Sequence, residues 1–375
     1  MNLPLRLRLD APRRVAAPTL RIRGTARARE AVRIRLRDDD GTVGQGEALP
    51  LPGYSIDDAA SAERALGLIA ARVAEHGLAV PEVAGCGHRG ARRLAAALEP
   101  HAALLATAPS ARFALECALV DLLARREGVS AAHWLAEGRA LQAVPVSVLL
   151  ADDERGAIAG AAEAAARGHA VLKLKIARSD RTPKEEDELL AAVRAAVDAA
   201  CAGKRRPPRL RLDANGALAP EAVPGRLAAL AHLGVELVEE PVAGAALLAL
   251  PALPLPWAAD ESLVDPALVE ALLALPGGRR PAAFVLKPAL LGLARCLWMA
   301  DAAAARGIGL IVTHSLDADL GLAAACALAA ALPVPPWPCG LAPHPGLRRP
   351  PLLLPWLPAP TGPGLGVIDT GDACC

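Results

Sequence analysis

Aromatic side chains are almost missing from this chain: five Trp, two Phe and one Tyr in 375 residues. That leaves no material for the stacking platforms on which single-stranded nucleic acid is bound. Net charge is only +1, and no basic block stands apart from acidic neighbours, so the electrostatic footprint of a nucleic-acid binder is absent as well. No CxxC occurs among the eight cysteines, which include the vicinal Cys374 and Cys375. Residues 1–20 hold no apolar core of a secretory leader. Reduced thiols in a cytoplasmic protein are the expectation. Two long uncharged stretches, Val242–Ala259 and Leu320–Pro343, are interrupted by prolines. A membrane-spanning helix needs about 20 apolar residues with a satisfied backbone. Both stretches are therefore read as buried helix, turn and strand, with no membrane insertion.

Several chemistries fail on spacing. GxxxxGK[ST], GxSxG and HExxH do not occur, and the glycines of "GTVGQG" lack GxGxxG order. Of the eight histidines only His314 falls near a strand end, as a polar lining residue rather than a ligand. Lysine is scarce too. Only Lys173, Lys175, Lys184, Lys204 and Lys287 occur among 41 basic residues; all others are arginine. Three of these five, Lys173, Lys175 and Lys287, sit inside apolar runs.

What is present is a change of rhythm. Up to about residue 55, period-two alternation with a "DDDG" turn predicts an antiparallel meander. Its alternating arginines read as the solvated face of strands. Helical patterns follow, one from Asp57 to Gly77 and one opened by Ser110 as N-cap and stopped at Gly128. From Val144, short apolar runs alternate with Ala-rich helices: "VPVSVLL", "AVLKLKI", "RLRLDAN", "VELVEEP", "LPWAADES", "AAFVLKP", "GLIVTHS" and "LPVPPWP". Eight strands in βα units predict an α/β fold with parallel pairing, closed as a barrel.

Charged residues mark the C-terminal ends of these strands. Lys173 and Lys175 lie on the second, Asp213 on the third, Glu239 on the fourth, Asp260 on the fifth and Lys287 on the sixth. Each step is about one βα unit. In a parallel barrel such ends converge on one mouth, where active sites are built. Three carboxylates without His or Cys form a hard-oxygen site suited to Mg2+. An ion there would stabilise the enediolate left when a proton departs from the carbon beside a substrate carboxylate. The base for that proton must be a lysine neutral at working pH. Lys173, two residues from Lys175 on the same strand face, would supply the neighbouring cation that lowers the pKa of Lys175. Arginine stays protonated and cannot serve.

"KLK", "RLDAN", "VEEP", "ADES" and "VLKP" together resemble the enolase superfamily, in its muconate-lactonizing subgroup. The resemblance implies a (β/α)7β TIM-like barrel over 109–343, an N-terminal α+β capping domain over 1–108, and a tail over 344–375 that returns to complete the cap. It implies Asp213, Glu239 and Asp260 as metal ligands, Lys175 as base, Lys173 as its partner and Lys287 as the opposing lysine. Arg211 and Asn215 would sit near the metal, with Glu261 as an acid behind the ligands. Within the superfamily the chain is similar to the o-succinylbenzoate synthase family. That implies dehydration of 2-succinyl-6-hydroxy-2,4-cyclohexadiene-1-carboxylate to 2-succinylbenzoate in menaquinone biosynthesis. "GQGEALPLPGYS" is similar to that family's strand and mobile loop, with Tyr54 over the mouth. Ser315 matches a substrate-contacting serine, and Asp317 stands where Glu is usual. "PCGLAP", with Gly340, resembles a last-strand segment offering backbone N–H groups to substrate. The expected partner is a small-molecule carboxylate, with a homo-oligomer possible in principle. The alternatives are an N-acylamino acid racemase or dipeptide epimerase using the same two lysines, and a barrel that binds without catalysis.

Overall fold

Alternating side chains at the start of the chain build one antiparallel sheet in the computed structural model, which describes residues 5–22, 25–202, 206–342 and 362–367. Its strands are β1 (Leu5–Leu9), β2 (Arg13–Ile22), β3 (Thr25–Arg37), β4 (Val43–Ala48) and β5 (Leu78–Val80). All pairings are antiparallel: β3 lies between β2 and β4 and also meets β1, which pairs with β5. Val32, Ile34 and Leu36 of β3 are buried on one face. The arginines on the other face are not all solvated, contrary to the sequence reading. Arg29 is buried and Arg33 pairs with the buried Glu47 at 3.0 Å, because this face meets the barrel.

Helix α1 (Ala59–His76) starts at Asp58, whose side chain accepts from Ser61 N–H in a capping box, and stops at Gly77. Helices α2 (Arg89–Leu98) and α3 (Ala102–Ala106) lead to α4 (Pro109–Arg126). Ser110 does not cap α4. The helix has Pro109 in its first turn and no capping side chain at Ala108, while Ser110 N–H and hydroxyl both donate to Asp57 Oδ2, at 3.0 and 2.5 Å. A buried carboxylate brought from across the loop outcompetes the local hydroxyl for the free N–H group. α4 lies hard against β4. A Cβ on Gly46 would sit 1.9 Å from Ala114 O, so only glycine allows this approach.

After α5 (Ala131–Ala136), seven parallel strands follow: β6 (Val148–Leu149), β7 (Val171–Lys175), β8 (Arg209–Asp213), β9 (Val235–Glu239), β10 (Trp257–Ala259), β11 (Ala283–Leu286) and β12 (Gly309–Val312). They pair in sequence order. The helices between them include α6 (Glu154–Ala166), α7 (Pro183–Cys201), α8 (Val223–Leu230), α9 (Pro266–Ala274), α10 (Pro288–Leu291), α11 (Leu293–Ala304) and α12 (Asp319–Ala330). The eighth position is filled by Cys339 and Gly340, which bridge in parallel to Val146 on one side and Thr313 on the other. The barrel is thereby closed. "LPVPPWP" (332–338) is only the approach to the strand: its four prolines have no N–H to give a ladder, Trp337 N–H donates to Leu310 O of β12 at 2.8 Å, and pairing to both neighbours is completed just after Pro338. Leu237, Ala258, Ala283, Val285 and Ile311, with Trp337 against them, form a separate cluster on these strands. Val242–Ala259 holds a 3-10 turn rather than an α-helix, at Gly244–Ala249. Among the described residues no helix is long and apolar enough to cross a membrane.

Of the tail, only residues 362–367 are described. Gly364 N–H donates to Val129 O at 2.9 Å, and Leu365 N–H to Asp121 Oδ1 at 2.7 Å, so this segment lies against α4 and α5. Lys204, His344, Cys374 and Cys375 lie outside the described residues.

Candidate active site

Strand register decides which side chains meet. Lys175, Asp213 and Glu239 are partners across β7, β8 and β9, and Asp260 directly follows β10. Parallel strands of equal reach thus deliver Asp213, Glu239 and Asp260 to one end of the barrel. All three are buried, and one carboxylate oxygen from each lies within 4.8 Å of the others. Both oxygens of Asp260 are buried; Oδ1 faces the Lys287 ammonium at 2.8 Å, and Oδ2 has no partner among the described residues. A trio of buried carboxylates, one of them with an unpartnered oxygen, fits a divalent ion of hard character.

The lysines divide over this cluster. Lys173 Nζ is 2.9 Å from Asp213 Oδ2 and donates to Glu239 Oε2. Lys287 Nζ is 2.8 Å from Asp260 Oδ1 and donates to Glu261 Oε1 at 2.8 Å. Burial disfavours both charges, but the facing carboxylates outweigh it and hold both amines above the ordinary lysine range. Burial likewise works against ionised Asp213, yet Lys173 holds it below the usual carboxylate range. At Asp260 burial prevails over Lys287 and pushes the carboxyl well up. Lys175 enters no ion pair among the described residues; its Nζ lies 5.9 Å from the centre of the Tyr54 ring. β7 and β11 are the second and sixth of eight strands, so Lys175 and Lys287 approach from opposite sides of the mouth.

The other expected residues fall at different depths. Arg211, buried on β8, donates to Glu236 Oε2 at 2.8 and 3.1 Å and to Pro338 O at 2.8 Å, and its Nη1 is 3.7 Å from Glu239 Oε1. It sits beneath the carboxylates and ties β8 to the closing segment. Asn215, with φ +43, donates from its side chain to Glu261 Oε1 at 3.3 Å. Glu261 is thereby held between Asn215 and Lys287. Ser315 is buried; its N–H donates to Asp317 Oδ2 at 3.0 Å, and its hydroxyl has no partner among the described residues. Burial pushes the Asp317 carboxyl up. His314 accepts from Leu316 N–H through Nδ1 at 3.0 Å, so its Nε2 donates to Ala342 O at 2.9 Å. It is fixed between its own loop and the segment that follows Gly340.

Gly340 does not offer its N–H to a substrate. That N–H donates to Val312 O at 2.9 Å, because closing the barrel consumes it. Tyr54 is half exposed on a loop whose turn is made by Leu51 O accepting from the Tyr54 and Ser55 N–H groups at 3.0 and 2.9 Å.

Sequence reasoning passed over Glu240. Its carboxylate accepts from Asp260 N–H at 2.7 Å and Ser262 N–H at 3.1 Å. Two acids in a row on a strand covered by helices was the available signal, since a buried charge without a metal needs donors of its own.

The family model described as enolase C-terminal domain-like matches residues 157–369, and that of the mandelate racemase / muconate lactonizing enzyme N-terminal domain matches residues 6–136. The o-succinylbenzoate synthase of Desulfotalea psychrophila is 33% identical over 321 residues, covering 80% of this chain and 83% of that protein. Muconate cycloisomerase 1-1 of Acinetobacter lwoffii is 34% identical over 160 residues, 42% of this chain and 40% of that one. The crystal structure of a dipeptide epimerase from Methylococcus capsulatus, complexed with Mg and the dipeptide L-Arg-D-Lys, matches with a TM-score of 0.75 and 26% identity. It covers 96% of this chain and 99% of that chain. With a capping domain, a barrel and a carboxylate trio that all agree with these matches, the chain belongs to the enolase superfamily, as a mandelate racemase / muconate lactonizing enzyme type of protein.

Proposed function

We propose that the protein is an o-succinylbenzoate synthase, a Mg2+-dependent dehydratase that converts 2-succinyl-6-hydroxy-2,4-cyclohexadiene-1-carboxylate to 2-succinylbenzoate. Asp213, Glu239 and Asp260 hold the metal, which supplies positive charge to the substrate carboxylate as negative charge grows on it. Lys175 takes the proton from the carbon beside that carboxylate. The same amine, now an acid, returns the proton to the departing hydroxyl, so water leaves and the ring becomes aromatic. Lys287 faces the substrate from the opposite side as a fixed cation, and Tyr54 closes over Lys175. Asn215 and Ser315 contact the substrate. Arg211 and Glu261 hold the ligands and Lys287 in place.

The observation that carries this reading is the inequality of the two lysines. Glu261, which is not among the proposed ligands, pairs with Lys287 at 2.8 Å, whereas Lys175 has no ion-pair partner among the described residues and its Nζ lies over the Tyr54 ring. One base and one fixed cation suit a dehydration, which moves a proton on one face; a racemase needs a working base on each face. The extent of identity to the Desulfotalea psychrophila enzyme supports the same choice. The segment "PWPCGLAPHPGL" carries no acid for a substrate ammonium, which speaks against a dipeptide epimerase. The test is incubation with the cyclohexadiene substrate and Mg2+, following aromatisation by ultraviolet absorbance. No absorbance change, together with deuterium exchange at the α-carbon of an N-succinylamino acid, would replace the dehydratase with a racemase.

A further inference from the structure

Glu240 is buried to 1% exposure and stands at φ +38, a left-handed backbone that side-chain residues rarely adopt. Its contacts explain why the conformation persists. Its backbone N–H donates to Ala258 O at 2.8 Å, and its carbonyl accepts from Gly216 N–H at 2.7 Å. Oε2 accepts from Asp260 N–H at 2.7 Å; Oε1 accepts from Ser262 N–H at 3.1 Å and from the Ser262 hydroxyl. The Ser262 Oγ in turn accepts from Gly244 N–H at 2.9 Å.

These bonds reach every loop that bears one of the three carboxylates. Gly216 belongs to the turn after Asp213, Glu239 is the covalent neighbour, and Ala258 and Ser262 lie on either side of Asp260, the third acid. Asp260 itself leaves the sheet at φ −130 and ψ −93, outside the extended and helical regions. Its backbone direction at that point is set by the N–H bond to Glu240. Three donors converge on one carboxylate, which accepts through both oxygens. An amide of the same shape would turn an NH2 toward one of those N–H groups and leave it unpaired in a buried place.

We propose that Glu240 is the positioning residue of the metal centre, holding the Asp260 carboxylate toward Asp213 and Glu239 without touching the ion. The inference rests on the reading of those three residues as Mg2+ ligands. Groups that orient ligands from behind typically change metal affinity about 10- to 100-fold when replaced.

Calorimetric Mg2+ titration of the wild-type protein, Glu240→Gln and Ser262→Ala, each with its thermal midpoint, tests it. The expected result is that Glu240→Gln still folds, with a midpoint lowered by the unpaired N–H group, and that the folded protein binds Mg2+ about 10- to 100-fold more weakly. Ser262→Ala, which keeps both N–H donations, should lose less. A merely structural role would lower the midpoint and leave the affinity of the folded fraction unchanged. A folded Glu240→Gln binding Mg2+ within about twofold of wild type overturns the inference alone. Should Glu240→Gln not fold, Ser262→Ala decides: a several-fold loss of affinity supports the inference and an unchanged one overturns it. A wild-type protein that binds no Mg2+ overturns the metal reading, and this inference with it.

Discussion

The two flanks of the barrel mouth carry the same chemical groups in unlike states. On the β11 side, Lys287 is clamped between Asp260 and Glu261, both at 2.8 Å. On the β7 side, Lys173 is clamped between Asp213 and Glu239, while Lys175 points at the Tyr54 ring. An amine between two carboxylates is a fixed positive charge. One without an acid partner can exchange its proton with a substrate at less electrostatic cost. Alternate spacing therefore gives one strand both kinds of lysine, and the strand opposite supplies only the clamped kind.

Substitution by arginine attacks that contrast most directly, because arginine keeps the charge and cannot give up its proton. Lys175→Arg should lose about 1,000-fold or more in kcat for aromatisation, the scale of a lost general base, with an unaltered circular dichroism spectrum. Lys287→Arg should retain more activity than Lys175→Arg, since the charge facing the substrate survives. Equal losses in the two variants would erase the distinction between the flanks.

Removing the acids tests the other half of the comparison. Asp260→Asn leaves Lys287 with Glu261 alone and takes a charge from the trio. Its Mg2+ affinity should fall by about 100-fold or more, beyond what outer partners usually contribute; Asp213→Asn should fall comparably. Titration calorimetry measures both. Unchanged affinity in either would remove that carboxylate from the ligand set.

The mouth was legible from sequence because βα repetition puts chemistry at one predictable place, the residue ending each strand. Asp213, Glu239, Asp260 and both clamped lysines could be placed from spacing alone. What could not be read is set by contacts between distant segments. Ser110 gave up its capping role to Asp57, which lies 53 residues away. The eighth strand touches β12 at Trp337 but reaches both neighbours only past Pro338, where Cys339 and Gly340 supply N–H groups in succession. Gly340 was expected to serve a substrate, yet its N–H is consumed by Val312. At Glu240 the doubled acid implied that donors were needed, but local pattern does not say that they come from the Asp260 and Ser262 backbone.

The loop over Lys175 gives a smaller effect. Gly53 has φ +85, which proline, fixed near −65°, cannot adopt. Gly53→Pro should displace Tyr54 and lower kcat by about tenfold, in the range ascribed to misplaced positioning groups. Its midpoint should hardly move, since Gly53 and Tyr54 are exposed. Full turnover in this variant would mean that the ring above Lys175 plays no part.

A buried carboxylate with no lysine shows what the clamps accomplish. Glu116, on α4, accepts from the Leu293 and Ala294 N–H groups at the start of α11. Burial nevertheless pushes its carboxyl up to about 7, against the pull of those N–H groups and of Arg112. Asp213, equally enclosed but facing Lys173, moves the other way, whereas Asp260 rises in spite of Lys287. A raised carboxyl binds its proton more tightly in the folded state. Its contribution to stability is therefore complete below the ordinary glutamate range and declines as pH climbs from about 4.5 to about 7. Glu116→Gln removes the charge that must be buried above that window while preserving shape. The variant should gain on wild type between pH 5 and pH 8 by up to about 3 kcal/mol, the free energy matching such a shift. Urea unfolding of both proteins at the two pH values measures the gain. An equal gap at both would show that the N–H groups of α11 compensate Glu116 as fully as Lys173 compensates Asp213.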